Sequence, residues 1–144
     1  MILQATAAGT MAGGILLFFS HIAPSFSAKN FIRDVDEPRI FGRKKSRREA
    51  HLIGAILHLL VSTVAGAGYA YLVSQSVISD FSLLSSLGWA MIVGIFLGGV
   101  IMPLEGHGIF GVKEDAWFPV DLFVTQFLWG VLFWWMMHLL PVVW

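Results

Sequence analysis

Four long runs of apolar residues, separated by three more polar stretches, set the rhythm of this chain. The runs cover roughly residues 5–28, 50–73, 87–104 and 120–143, and each is close to the ~20 helical residues that cross a hydrocarbon core. None shows a two-residue alternation of polar and apolar positions. Backbone groups in lipid must be satisfied within the segment, so the pattern predicts transmembrane helices rather than barrel strands. The expected fold class is an all-α membrane protein, one four-helix bundle occupying residues 1–144.

Composition sharpens this picture. With 57% hydrophobic and 12% charged residues in 144, the chain departs far from the balance of a soluble domain. Little length remains for an extramembrane catalytic domain, so an enzyme is not expected, and any polar chemistry belongs to the bundle or to its longer loops, 29–49 and 105–119. Cysteine is absent, which excludes disulfides, thiolate nucleophiles and thiolate metal ligands. The first run resembles a signal peptide in length, but no Lys or Arg precedes it and Phe26 interrupts a small-x-small pattern ending at Ala28. It is expected to stay as a helix.

Charge adds an orientation. Lys29, Arg33, Arg39, Arg43, Lys44, Lys45, Arg47 and Arg48 fall in the first loop and Lys113 in the third, with none at the ends or in loop 74–86. Loops one and three are therefore expected on the cytoplasmic side and both termini outside. Arg43, Lys44, Lys45, Arg47 and Arg48 form a cluster suited to anionic lipid beside a spanning helix, and nucleic acid is not an expected partner. Trp89, Trp117, Trp134, Trp135 and Trp144 sit near segment ends, as interface anchors do.

Small residues four apart, Gly9 with Gly13, Ser62 with Gly66 and Gly94 with Gly98, mark faces where another backbone approaches closely, in this chain or in a partner. Pro24 before Phe31 and Pro103 before Phe110 share a spacing that hints at two helix-hairpin repeats.

Ionisable groups inside apolar segments are expensive, so they are the candidates for function. His51 and His58 share a face of the second segment with Ala55, Ser62 and Tyr69. His58 lies about ten residues beyond the basic loop and His21 about eight before it, which at 1.5 Å per residue places both roughly 12–15 Å inside the cytoplasmic edge. Two imidazoles at one depth suit bis-histidine haem ligation, and packing or proton conduction are the open alternatives. Nearer the surface, His51, Glu105 and His107 offer ligands for a transition metal, or a proton relay. The competing reading of "EGHG" is an interfacial charge followed by turn glycines, with Asp121 helping to cap the fourth helix.

The stretches "HLLVSTVAGAGYAYL" and "GWAMIVGIFLGGVIMPLEGHGIFG" resemble those of small, uncharacterised four-helix prokaryotic membrane proteins, in which a Met-Pro-Leu turn precedes a GxGxFG element. The resemblance implies a four-helix fold and a multi-pass protein of the prokaryotic cytoplasmic membrane, and it brings no established activity. Small multidrug transporters compare poorly, since the first segment here holds His21 and Ser20 where theirs holds a glutamate. The expected function is a structural or accessory subunit that packs against other membrane subunits or itself. The alternatives are a metal- or haem-binding protein using His21 and His58, and a small oligomeric transporter or channel.

Overall fold

A computed structural model describes residues 1–22, 39–40, 43–44, 47–113 and 116–140. Its four helices long and apolar enough to cross a membrane make this a multi-pass membrane protein by length and composition. Helix α1 spans Ile2–Ile22, α2 Arg47–Ser74 and α4 Phe118–Leu139. Helix α3 is composite: an α-helix Leu83–Phe96, a π-helical turn Leu97–Ile101 and a last α-helical turn Met102–Glu105. In the basic loop a two-residue antiparallel ladder pairs β1, Arg39–Ile40, with β2, Arg43–Lys44. Lys45, the Pro24 and Phe31 half of the expected repeat, and Trp144 lie outside the described residues, as do the side chains of Arg43, Lys44, Arg47 and Arg48.

Helix boundaries differ from the hydropathy pattern for local reasons. Helix α3 begins four residues earlier than the pattern predicts because Ser82 caps it, its hydroxyl accepting from the Ser85 N–H, which satisfies an orphan donor of the first turn. Helix α4 stops at Leu139, short of the predicted 143. Leu140 precedes Pro141 and is extended, φ −75° and ψ 132°, as the ring of a following proline requires. The π turn of α3 also has a proline behind it. Pro103 has no N–H for the carbonyl four residues back and its ring crowds that carbonyl, which a widened turn relieves; Met102 N–H accordingly reaches Leu97 O.

The helices form a ring in the order α2, α1, α4, α3, with broad contact along the first three boundaries and little between α2 and α3. The crossing of α1 with α2 is nearly backbone to backbone: a Cβ at Gly9 would lie 3.1 Å from the Gly66 Cα, and one at Gly13 2.6 Å from the Ser62 Cβ. The hydroxyls of Thr10 and Thr63 meet across it at 2.7 Å. Between α3 and α4 the spacing is set by Gly130 beside Ala90 and Gly94 beside Gln126. The predicted small-residue faces are thus occupied within this chain.

Aromatic rings fill the Asp80 end of the bundle. Trp129 stacks on Phe133 at 4.9 Å, and Tyr69 meets Phe133 and Phe81 edge to face. The hydroxyl of the fully buried Tyr69 donates to Asp80 O at 2.9 Å and lies 2.6 Å from Ser85 Oγ, which pins the α2–α3 connection to the core. Hydrogen bonds from Ser82, its hydroxyl first and then its N–H, hold the Asp80 carboxyl below its ordinary range.

Trp89 is tied to the neighbouring helix: its indole N–H donates to Ala65 O across to α2 at 2.9 Å, and its ring packs over Gly68. Trp117 and Trp135 are exposed, whereas Trp134 is half-buried with its ring against His138.

Buried Gln4 ties the start of α1 to the end of α4, its amide donating to Met137 O and Leu140 O, both at 3.0 Å. The helical donor to Met137 would come from position 141, which is proline. Gln4 replaces it. Gln4→Leu is expected to lower stability by about 2 kcal/mol by leaving buried carbonyls unmet, checked by thermal unfolding in detergent.

Candidate functional site

The face of α2 singled out by its histidines does turn inward: Ser62 and Tyr69 are buried. His58 is half-buried, and its ring lies beside Gly13 of α1, where a Cβ would come within 3.7 Å of Cδ2. Its other neighbours surround a small cavity of about 30 Å3 between α2, α3 and α4, lined by Ser62, Leu97, Thr125, Gln126 and Trp129 among others. Nε2 of His58 and Nε1 of Trp129 are buried without a hydrogen-bond partner among the described residues. Such groups are uncommon in a folded interior, because each forgoes its hydrogen bonds to water.

The expected equal depth of His21 and His58 does not hold. The α1–α2 crossing sets Gly9 against Ser62 and Gly66, and Gly13 against His58 and Ser62. His58 is therefore level with about residue 15, and His21 lies about six residues farther along α1, about 9 Å at 1.5 Å per residue. Counting from the basic loop failed because close-packed glycines, rather than the loop, set the register. The near contact of the α1 and α2 backbones also leaves no width for a haem between them there. The side chains of His21 and His51 lie outside the described residues.

At the other candidate cluster, His107 Nε2 and Glu105 Oε2 are 3.8 Å apart, with 14% and 21% of their side chains exposed. Among the described residues no three His, Asp or Glu side chains are grouped to hold a metal ion. The backbone explains the glycines. Gly106 is left-handed at φ 92°, its N–H meeting Pro103 O while His107 N–H meets Met102 O, the paired bonds of a Schellman ending. Gly108 follows at φ 78° under the Lys113 side chain, whose Cγ would be 2.9 Å from an added Cβ. Asp121 sits in the first turn of α4, where negative charge meets the positive end of the helix dipole, while the N-cap residue, Trp117, makes no side-chain capping bond.

Beyond the glycines, a 3₁₀ turn at Ile109–Gly111 folds the loop back onto the bundle. Phe110 lies against Gly98 of the π turn, so close that any Cβ at Gly98 would overlap its ring, and it meets the Phe123 ring at 5.6 Å. Its φ of 53° is a conformation that non-glycine residues seldom hold without support from their surroundings. The glycine of the π turn supplies the seat and the loop supplies the plug.

Gln4, Gln126 and Trp129 do not stand out in the sequence, and Phe110 stands out there only for its spacing from Pro103. For the two glutamines a signal existed, as amides within or beside an apolar run are expensive and so carry a purpose. Comparison of the chain with protein-family models, curated proteins and solved structures finds no match.

Proposed function

We propose that this chain is a structural or accessory subunit of a larger membrane assembly or homo-oligomer in a prokaryotic cytoplasmic membrane. The reading is carried by an open apolar groove of about 460 Å3 on α3 and α4, lined by Met91, Val120, Phe123, Val124, Phe127 and Leu128 among others. Its floor and walls come from α4, with Met91 of α3 at one side, a relief into which a further helix sets its side chains. Lipid tails are as apolar as these residues, so membrane helices associate through packing of this kind rather than through hydrophobic drive. Gly9, Gly13, Gly94 and Gly98 are taken up inside the chain, so those small-residue faces are not available to a partner.

Because the chain has no cysteine, Met91→Cys and Val124→Cys can be cross-linked in native membranes with a short bifunctional reagent. A discrete product is expected, and its mass distinguishes a second copy from a different subunit. A strictly monomeric protein on mild-detergent sizing, with no product from either position, overturns the reading.

The same proposal places both termini outside, supported by the confinement of all nine Lys and Arg residues to loops 29–49 and 105–119. Single cysteines at Ser79 and Ser46 report it with an impermeant maleimide on intact cells. Ser79 is expected to label and Ser46 to stay silent, and the reverse pattern inverts the topology.

A further inference from the structure

Two of the residues lining the cavity beside His58 carry unlike polar groups. Trp129 retains only 3% of its surface, and its indole N–H is an obligate donor. Nε2 of neutral histidine is an acceptor whenever the ring proton sits on Nδ1. Both nitrogens are buried without a partner among the described residues, and both residues line the same 30 Å3 space.

We propose that this space is an internal water site, in which a bound water accepts a hydrogen bond from Trp129 Nε1 and donates one to His58 Nε2. The volume fits, since a buried water needs roughly 10–15 Å3 of such space and two to four polar partners. There is room for one or two waters and none for a haem or an acyl chain. Gln126 and Ser62 are also among the residues that line the space. Thr125, also on the wall, spends its hydroxyl proton on Asp121 O at 2.8 Å and offers its oxygen as an acceptor. Left unmet, the two buried nitrogens are costly, whereas a water supplies each with a hydrogen bond inside the bundle.

The test is nuclear magnetic resonance on the isotopically labelled full chain in lipid nanodiscs. The Trp129 indole N–H should show a cross-peak to water, and His58 should show the nitrogen shifts of a neutral ring protonated at Nδ1. Trp129→Phe, which keeps an aromatic ring but removes the donor, should shift the His58 Nε2 resonance. His58→Leu should abolish the Trp129 water cross-peak by filling the space. An assigned Trp129 indole signal in the unmodified protein with no water contact overturns the proposal. So do His58 shifts characteristic of a metal-bound nitrogen, or Nε2 coupling to a protein group. The measurements on the unmodified chain decide the matter even if either variant fails to fold.

Discussion

Replacing Gly66 with leucine will force α1 away from α2 and lower the stability of the bundle by about 3 kcal/mol, the upper range for overpacking a well-packed site. The expectation follows from the crossing geometry. A Cβ at Gly66 would overlap the carbonyl oxygen of Ala5 and lie 3.2 Å from the Gly9 Cα. Those are main-chain atoms, which cannot rotate aside as a long side chain does, so the helices must separate along their length. Separation would also part the Thr10 and Thr63 hydroxyls, now 2.7 Å apart. Gly54, on the same helix, is exposed with nothing within 4 Å of an added Cβ, and Gly54→Leu should change stability by no more than about 0.5 kcal/mol. Unfolding in detergent followed by tryptophan fluorescence measures both. Equal stability of the two variants would remove the α1–α2 crossing described above.

Phe110 should behave in an unusual order: the glycine variant is expected to be more stable than the alanine variant. Phe110→Ala loses the ring that covers Gly98 and should cost about 2 kcal/mol, less than a fully buried Phe→Ala because the side chain is only half-buried. Alanine would also inherit the φ of 53°, which costs an L residue about 1 kcal/mol and costs glycine far less. Phe110→Gly should therefore recover about 1 kcal/mol relative to Phe110→Ala. The same two variants should open the loop to trypsin at Lys113, as digestion of membranes with the loop side accessible would register. Alanine more stable than glycine would show that the left-handed backbone at this position is not retained.

How far these features were legible depended on whether they were local. Four spanning helices follow from segment length and hydropathy, and the Ser62–Tyr69 face of α2 points inward as its spacing implies. The turn role of Gly106 was also readable, because a glycine just past a helix end reports a left-handed backbone. Depth was a different matter. The position of His58 relative to His21 depends on which glycine of α1 meets which residue of α2, and counting from a loop carries no such information. The Gly9, Gly13, Ser62 and Gly66 spacing did contain it, had the two pairs been laid against each other in antiparallel register. Phe110 was hidden for another reason: its seat combines a π turn, a glycine and a left-handed residue, none of which leaves a hydropathy signal. Trp89 read as an anchor because its place near a segment end is where anchors occur, while its bond to Ala65 O is a property of the neighbouring helix.

The sparse boundary between α2 and α3 gives the ring of helices a seam, and the Trp89 indole is its latch. Two tightly bound hairpins, α1 with α2 and α3 with α4, are joined broadly along α1 and α4 and only lightly on the opposite side. Mechanically that is a hinge facing a clasp. Motion of one hairpin against the other costs least where α2 and α3 part, and the wall they would part along includes His58 on one side and Leu97 on the other. In hydrocarbon no water competes for the carbonyl of Ala65, so the Trp89 bond, with the Tyr69–Ser85 hydroxyl contact on the same boundary, holds the clasp more firmly than either would at an aqueous surface. The boundary between α2 and α3 is therefore the one with the least packing to resist separation.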